Sequence, residues 1–264
     1  NGLDQDNLAR LNQDGSLDET FNPIVDRGIN ALAIDSSGNI YLGGSFENIN
    51  GMPHEYLARL DSEGVLDADF HPDLNDVPVS LFVQDDDKIL VGGWFTQVEG
   101  EERVGIARLN ASGSLDSSFN ANLEDEPEMD ERVYAIAVQP DRKILIGGEF
   151  NQVGGVDHSN LARLDISGKL DEDFNATTNS IVNAIALQND GKIVIAGGFS
   201  EVNDIARARI ARLDIYGNLE INFYPGVSMT IRCLAIQPDQ KLLIGGIFSV
   251  VNGETQKYLA RLFP

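Results

Sequence analysis

The sequence predicts an all-β protein built from repeated antiparallel sheets, and three observations lead to this fold class. The triplet Ala-Arg-Leu occurs six times, with its arginines 49, 49, 55, 49 and 49 residues apart. The first five arginines are each followed by the pattern Asx-x-x-Gly-x-Leu-acid-x-x-Phe, and then by two apolar runs separated by a polar turn. Four short strands per unit of about 40–50 residues are typical of propeller blades. We therefore predict a five-bladed β-propeller of four-stranded antiparallel blades.

Each repeat is expected to supply four strands in order. Strand A is the first apolar run, as in residues 29–34, and strand B is the second run, as in residues 40–44. Strand C carries Ala-Arg-Leu, as in residues 56–60, and strand D spans the Gly-to-Phe segment, as in residues 64–70. Asp, Asn, Gly and Pro between strands A and B are the residues of tight hairpin turns. Helical repeats are not expected, because Gly and turn residues interrupt every window that might keep a period of 3.6.

The repeats fill residues 1–264, which predicts a single propeller domain of five repeats plus the start of a sixth. Residues 1–11 and 252–262 match in phase, since both begin with Asn-Gly and end with Leu-Ala-Arg-Leu. Propellers commonly remove exposed sheet edges by completing one blade from both termini. We therefore expect strand D of residues 15–21 to join strands A, B and C of residues 231–262 in the last blade. The alternative is a longer array that closes only with further repeats.

The charge balance excludes some classes of partner. The chain has 19 Lys and Arg against 42 Asp and Glu, a net charge of −23, so nucleic acids and anionic membranes would repel it. No apolar stretch is long enough to span a bilayer, and residues 1–6 lack the features of a signal peptide, so no membrane insertion is expected. Cys233 is the only cysteine, which rules out an internal disulfide, and we expect it to be buried on an inner strand.

Several fixed positions together resemble a known family. The Ala-Arg-Leu strand, the Asp-x-x-Gly-x-Leu-Asp-x-x-Phe segment and the Gln-x-Asp-x-Lys turn before Ile-Leu-x-Gly-Gly-x-Phe are similar to the bacterial delta-60 repeat, a β-propeller family of unknown function. The resemblance covers the whole chain. It implies a propeller fold, frequent occurrence in large secreted or surface proteins of bacteria, and no established catalytic residues. The resemblance therefore leads us to expect an extracellular or cell-surface location within a larger multidomain protein.

Residues that recur in every repeat are expected to serve packing. The repeated arginine and the acid eight residues after it would form one partly buried ion pair per repeat. Five equivalent calcium or ligand sites are the alternative, but two side-chain oxygens flanking a leucine do not make a calcium loop. The residues assigned to structural ion pairs are Arg59, Arg108, Arg163, Arg212, Arg261, Asp18, Asp67, Asp116, Asp171 and Glu220.

The connections B–C and D–A vary between repeats, whereas the A–B and C–D turns are regular. Antiparallel strands place the variable connections on one face, where repeat scaffolds concentrate recognition. One position of strand A, beside a small residue, also varies and would surround the mouth of the propeller axis. Trp94 is the only tryptophan, and it would either fill a gap between blades or stack on a sugar or aromatic ligand. We predict ligand-binding roles for Asn30, Trp94, Tyr134, Asn183, Arg232, His54 and His158.

The third D–A connection is six residues longer than the others and carries six acids in eight positions. This segment is either a solvated, self-repelling loop or a hard-cation site, because flexible carboxylates can surround Ca²⁺. Docking of a basic partner is a further alternative. None of the three histidines has a second His or Cys at zinc spacing, so zinc is not expected. The candidate metal ligands are Glu124, Asp125, Glu126, Glu128, Asp130 and Glu131.

No arrangement of a catalytic nucleophile, base or metal ligand set stands out, and arginine–acid pairs repeated five times are not such an arrangement. We therefore expect a non-enzymatic binding or adhesion module that recognises a glycan, a peptide or a surface protein through the variable face. Apart from calcium, no cofactor is expected. The alternatives are an inert spacer in a larger surface protein, or a lyase or glycan hydrolase, which rests on analogy with other propellers.

Overall fold

The computed structural model describes residues 7–123 and 131–263, and these form β-strands and turns without helices. No helix that could span a membrane is therefore found in this part of the chain. Contacts divide the protein into two compact units, Asn1–Ser118 and Phe119–Pro264. The prediction that strands from both termini close the last blade joins residues of both units and stays a prediction, as does the single domain.

The first unit contains two three-stranded sheets and two short hairpins among its described residues. Its strands are β1 (Ile29–Ile34), β2 (Ile40–Gly44), β3 (Asn48–Ile49), β4 (Met52–Pro53), β5 (Leu57–Leu60), β6 (Pro78–Val83), β7 (Ile89–Gly93), β8 (Gln97–Val98), β9 (Glu101–Glu102) and β10 (Ile106–Leu109).

The second unit contains three three-stranded sheets and three short hairpins in the part that the structure describes. Its strands are β11 (Arg132–Val138), β12 (Ile144–Glu149), β13 (Gln152–Val153), β14 (Val156–Asp157), β15 (Leu161–Leu164), β16 (Val182–Leu187), β17 (Ile193–Gly197), β18 (Glu201–Val202), β19 (Ile205–Ala206), β20 (Ile210–Leu213), β21 (Ile231–Ile236), β22 (Leu242–Gly246), β23 (Val250–Val251), β24 (Glu254–Thr255) and β25 (Leu259–Leu262).

All five sheets have the same antiparallel order, with strand B between strands A and C. In the first sheet β2 pairs with β1 and with β5, so that Leu42 lies opposite both Leu32 and Ala58. The middle strands are buried on both sides because neighbouring sheets of one unit pack against them, which explains their continuous apolar runs. We number the sheets 1 to 5 in chain order.

The predicted fourth strand D is not formed, which corrects the four-stranded blade. In the first repeat only Leu66 pairs with strand C, through an isolated bridge to Leu60. A turn then closes between Asp67 and Phe70, since the Phe70 amide donates to the Asp67 carbonyl. This turn stops extended pairing and directs the Phe70 ring into the space between sheets 1 and 2. Residues 11–21, 164–174 and 213–223 follow the same pattern of one bridge and one turn.

The repeated phenylalanine packs on two successive sheets. Phe70 lies in one buried cluster with Tyr41 and Leu57 of sheet 1 and Ile89 and Val91 of sheet 2. In the second unit, Phe174 joins sheets 3 and 4, and Phe223 joins sheets 4 and 5, in equivalent clusters. The segment predicted as strand D therefore links neighbouring sheets instead of widening one sheet.

The B–C connections are also more regular than their sequences predict. Each contains a hairpin of two two-residue strands, such as β3 with β4. In four of the five connections, a bridge such as Val25 to Ile49 connects the hairpin to the preceding D–A connection. The turn of this first hairpin uses Asn50 and Gly51 at positive φ, the conformation that Asn and Gly tolerate. The variability of this face therefore lies in the side chains, while the backbone repeats.

Every strand A has a β-bulge near its beginning. In the fourth repeat the register shifts between Val182 and Ala184, which leaves Asn183 without a paired residue on β17. Gly197 follows the bulge on β17, and a Cβ added there would overlap the carbonyl oxygen of Ile181. The glycine two residues before the repeated phenylalanine, which is Gly44, Gly93, Gly148, Gly197 or Gly246, is therefore required by close backbone approach at the bulge.

Candidate functional site

The repeated arginine makes a fixed set of three contacts. The Arg59 Nη2 lies 2.6 Å from Asp67 Oδ2, and its guanidinium carbon lies 4.7 Å from the centre of the Phe70 ring. Its Nη1 donates to the carbonyl of Ala111 in the following repeat at 2.6 Å. One side chain therefore combines an ion pair, a cation–π contact and a link between successive repeats.

The same ion pair occurs in the other repeats that have both residues. The separations are 2.9 Å for Arg10 and Asp18, 2.7 Å for Arg108 and Asp116, 2.7 Å for Arg163 and Asp171, and 2.6 Å for Arg212 and Glu220. A group repeated so closely and turned toward the neighbouring repeat is suited to packing, and its carboxylates are already occupied by protein donors.

Lysines from the A–B turns contact the same acids. Lys88 lies 2.8 Å from Asp116, and Lys143 lies 2.7 Å from Asp171. Burial by itself raises the pKa of the Asp116 carboxyl, but hydrogen bonds from Lys88, Ser118 and Arg108 outweigh burial and hold this pKa far below its ordinary value. Asp116 is therefore a permanently charged structural group and not a proton donor or acceptor at neutral pH.

Arg261 differs from the other members of this series. Its side chain is exposed, and it makes no ion pair with any residue that the structure describes. The predicted ion pair of Arg261 is therefore not formed among the residues that the structure describes. This difference leaves one basic group open at the edge of sheet 5.

The variable position of strand A coincides with the β-bulge in all five sheets. Asn30 and Arg232 are exposed there, whereas Tyr134 and Asn183 are half-buried. The Asn183 amide donates to the carbonyl of Ile231 at 2.8 Å, so it also ties sheet 4 to sheet 5. In the second unit the bulges therefore place Tyr134, Asn183 and Arg232 at one register on the successive strands β11, β16 and β21.

Trp94 directly follows β7 in the first unit and is 41% exposed. Its backbone amide donates to the Val77 carbonyl at 3.0 Å, which fixes the indole beside the bulge of β6. An indole that is nearly half-exposed beside a bulge offers a flat apolar surface for stacking. Asn30 lies on the neighbouring sheet of the same unit at the equivalent bulge.

His54 and His158 are not exposed recognition residues, which corrects their predicted role. His54 is only 2% exposed, and its ring stacks on that of His71 with the centres 4.5 Å apart. Burial, followed by the nearby His71, lowers the pKa of His54. The His158 Nε2 lies 3.2 Å from the carbonyl oxygen of Phe174. Both imidazole rings pack at the junction between two successive repeats.

His54 and His158 occupy the same position in their repeats, and a comparison of residue types alone does not reveal this position. His54, Arg103, His158, Arg207 and Gln256 follow one another at the intervals of 49, 55, 49 and 49 residues. The Arg207 guanidinium donates to the carbonyls of Phe223 and Ile221 at 3.4 and 3.2 Å, as His158 approaches Phe174. The common spacing therefore identifies these residues as equivalent, although the residue type differs between repeats.

Of the acidic loop, only Glu131 lies within the described residues. Glu124, Asp125, Glu126, Glu128 and Asp130 lie outside the described residues. Glu131 is buried, and its Oε1 accepts a hydrogen bond from the Asn151 amide at 3.3 Å, so this residue anchors the end of the loop. Within the described ranges, no group of three or more His, Cys, Asp or Glu side chains is placed to hold a metal ion.

Cys233 is exposed on β21, next to the bulge, which corrects the expectation that it is buried. The sheets that precede sheet 5 in the second unit place Ala135 and Ala184 at the same position, where both are buried. Among the described residues of the second unit, no sheet covers the Cys233 thiol, which is open to solvent.

A comparison with protein families decides the classification. A family described as "Domain of unknown function (DUF5122) beta-propeller" matches residues 1–21, 36–70, 84–119, 139–174, 188–219 and 237–264. The chain belongs to this β-propeller family. The predicted all-β propeller fold is thereby confirmed, and each of the six matched segments of this DUF5122 chain contains one Ala-Arg-Leu triplet. A search of curated protein sequences finds no match.

Solved structures support the same fold. The WD40 β-propeller domain of Doa1 superimposes with a TM-score of 0.54 at 17% identity, over 90% of this chain and 70% of that one. PorZ, a bacterial surface component of the type-IX secretion system of Porphyromonas gingivalis, gives 0.53 at 16%, over 88% and 34%. The extracellular domain of BT3049 from B. thetaiotaomicron gives 0.52 at 13%, over 83% and 26%. The DUF5122 chain thus spans about a quarter to a third of the last two chains.

Proposed function

We propose that this protein is a non-enzymatic recognition module of an extracellular or cell-surface bacterial protein, and that it binds a glycan or protein ligand at the bulged ends of its A strands. The observation that carries the proposal is the contrast between a repeated backbone and unrepeated side chains. All five bulges have the same register shift, yet the bulged residues differ in size, polarity and charge. Packing favours one residue type at equivalent positions, whereas ligand contact favours a specific set.

The second unit offers the best defined part of this surface. Tyr134, Asn183 and Arg232 supply an aromatic ring, an amide and a guanidinium on three successive strands. Arg232 is exposed and makes no ion pair with a described residue, although the chain carries more than twice as many acids as bases. An exposed arginine without an acidic neighbour suits a ligand with carboxylate, hydroxyl or carbonyl acceptors.

The proposed location is supported by proteins that have a similar fold. PorZ is a bacterial surface component, and BT3049 contributes an extracellular domain, and both carry propeller-like regions within much longer chains. Together with the resemblance to repeats of bacterial surface proteins, this supports a cell-surface module within a larger protein. The acidic loop of residues 124–131 adds a proposed calcium dependence, because its carboxylates suit a hard cation.

A glycan array tests the proposal when binding is compared in the presence of calcium and in the presence of a chelator. We expect binding to a restricted group of glycans, and we expect Arg232→Ala and Tyr134→Ala to weaken it about tenfold or more. Arg142→Ala is the matched control, since Arg142 is an exposed arginine of the A–B turn in the same unit. Its loss should leave binding unchanged.

Three results would contradict the proposal. Turnover of a bound polysaccharide would favour the lyase or glycan hydrolase alternative. Equal loss of binding in Arg142→Ala and Arg232→Ala would mean that general charge, and not the bulge surface, determines binding. If no glycan or surface protein binds, the spacer alternative is favoured.

A further inference from the structure

A pocket with a volume of about 560 Å³ lies between the A–B turns of sheets 3 and 4. These turns connect β11 to β12 and β16 to β17, at the ends of the A strands that are opposite to the bulges. The apolar wall of the pocket is formed by Val138, Pro140, Leu187 and Ile215, which all belong to the second unit. A pocket of this size can hold a small molecule or one side chain of a partner.

A glycine keeps this pocket open. Gly191 lines it at a φ of 83°, and a Cβ added there would meet nothing within 4 Å. The equivalent residue of the next turn is Gln240, whose Oε1 accepts a hydrogen bond from the backbone amide of Asn189 at 3.2 Å. This side chain therefore bridges the turns of sheets 4 and 5. Sheets 3 and 4 lack the same bridge, because Gly191 has no side chain and Pro140, the equivalent of Asn189, has no amide hydrogen.

Two buried glutamines also line the pocket. Gln139 and Gln188 directly follow β11 and β16, and they are 4% and 7% exposed. Their backbone amides donate to the carbonyls of Lys143 and Lys192 at 2.8 and 2.9 Å, so the turns fix their positions. Their Oε1 atoms are buried and have no hydrogen-bond partner among the described residues. Buried polar groups in folded proteins are nearly always hydrogen-bonded, so both oxygens need donors from elsewhere.

One carboxylate of the pocket lacks a basic partner. Asp239, at the equivalent position of sheet 5, lies 2.6 Å from Lys241 of its own turn. In the turn of sheet 3, Lys143 lies 2.7 Å from Asp171 instead. Asp141 is therefore exposed at the pocket and makes no ion pair with a described residue. Because no Lys, Arg or His is among the described residues that line the pocket, it favours a cationic ligand.

From this arrangement we propose that the pocket binds a primary alkylammonium group. Such a group has three N–H donors, one positive charge and no acceptor. Its charge pairs with Asp141, and its hydrogens donate to the side-chain oxygens of Gln139 and Gln188. No hydrogen bond to these oxygens opposes rotation of the two amides toward the ligand. The alkyl stem packs on the apolar wall. The group belongs to a free amine or to a lysine of a partner protein, and the site does not depend on recognition at the bulges.

Titration of the whole isotope-labelled protein with n-butylamine at neutral pH, followed by NMR of the glutamine side-chain amides, tests the proposal. We expect saturable shifts of the Gln139 and Gln188 signals with a dissociation constant on the order of 1 mM, because so small a ligand makes few contacts. Uncharged n-butanol should bind at least about tenfold more weakly. The trimethylated amine keeps the charge but has no N–H donor, and its binding should also be about tenfold weaker. Equal binding of either compound would overturn the proposal.

Variants of the protein locate the binding. Gly191→Gln introduces the side chain that Gln240 supplies between sheets 4 and 5, and it should abolish binding without loss of folding, since Gln240 also has a positive φ. Gly38→Gln is the matched control, because Gly38 has the equivalent position and a positive φ in the first repeat, outside the pocket. Asp141→Asn should weaken binding at least about tenfold. Asp239→Asn, at the equivalent position, should leave binding unchanged.

A blocked lysine, N-acetyl-lysine methylamide, distinguishes the two sources of the ammonium group. Binding as tight as that of n-butylamine supports a lysine of a partner protein as the occupant. Binding of n-butylamine alone supports a free amine, because the backbone of a peptide is then excluded from the pocket. If neither amine binds, or if Gly191→Gln binds n-butylamine unchanged, the proposal is wrong. Neither result would affect the recognition function proposed for the bulge surface.

Discussion

Arg59 and Phe70 are in direct contact, with the guanidinium carbon 4.7 Å from the centre of the ring. The same arginine bonds to Asp67 and reaches the Ala111 carbonyl of the next repeat. Because Phe70 is buried between sheets 1 and 2, this contact lies at the junction of two repeats and not on the surface of one. The stability of neighbouring sheets therefore depends on one shared side chain.

Loss of a buried member of the arginine series should destabilise the protein strongly. The side chains of Arg108 and Asp116 are only 5% and 8% exposed. Arg108→Ala removes one of the two basic partners of a buried carboxylate, so we expect the free energy of unfolding to fall by about 3 kcal/mol. Urea unfolding followed by circular dichroism measures it. Arg10→Ala is the comparison, since Arg10 is 38% exposed and its loss should cost less than about 1 kcal/mol. Equally small losses in both variants would mean that the Arg108 pair is also on the surface.

The acid of this pair should make stability depend on pH in one direction. The folded pKa of Asp116 lies below its ordinary value of 3.8, so the folded state favours the charged carboxylate. Its contribution is complete above about pH 4 and is lost as the pH falls through the folded pKa. We expect the stability difference between the unchanged protein and Asp116→Asn to be constant at neutral pH and to shrink below about pH 4. A difference that grows on acidification would contradict this assignment.

Alanine substitutions at two adjacent glycines should change the stability of the protein by different amounts. A Cβ at Gly197 would overlap the Ile181 carbonyl, whereas one at Gly198 meets only the hydroxyl oxygens of Ser180 and Thr230 at 3.7 and 3.9 Å. We expect Gly197→Ala to lower the free energy of unfolding by about 2 kcal/mol or more, because the bulge must shift. Gly198→Ala should change it by less than about 0.5 kcal/mol. Thermal unfolding of both variants provides the measurement, and similar Tm values would exclude the close approach as the reason for Gly197.

His54 should make the first unit less stable in mild acid. Burial lowers its folded pKa from the ordinary value of 6.5, so protonation favours the unfolded state. Stability is complete above about pH 6.5 and falls as the pH decreases toward the folded pKa. His54→Gln should remove this part of the pH dependence, since glutamine occupies the equivalent position 256. Denaturation midpoints at about pH 7.5 and 5.5 test it, and an unchanged shift in the variant would assign the effect to other groups.

The sequence predicts the three main strands of each repeat well because their signals are local. Residues 29–34 and 40–44 were expected as strands A and B, and the structure has β1 and β2 at these bounds. Strand D failed because an apolar residue flanked by Gly and Asp resembles a short strand. Its outcome depends on the turn from Asp67 to Phe70 and on the neighbouring sheet that receives the ring. The neighbouring sheet is a tertiary effect that no local pattern contains.

The candidate site was predicted only in part for a similar reason. The sequence predicts ligand-binding roles for His54 and His158 because histidine is rare in this chain, and it thereby groups them with the exposed Arg232 and Trp94. The structure shows that a histidine and an arginine can perform the same task at one repeated position, as His158 and Arg207 do against carbonyl oxygens. Comparison by residue identity cannot detect such equivalence, whereas comparison by position and hydrogen-bonding capacity can.

The shared use of one arginine by two successive repeats also bears on how the gene can change. Because Arg59 joins its own segment to the next repeat through a backbone carbonyl, the contact requires no particular side chain at residue 111. Recombination that adds or deletes one whole unit of 49 residues recreates the same junction on each side. An in-frame duplication of one whole unit would therefore need no compensating substitution at this junction.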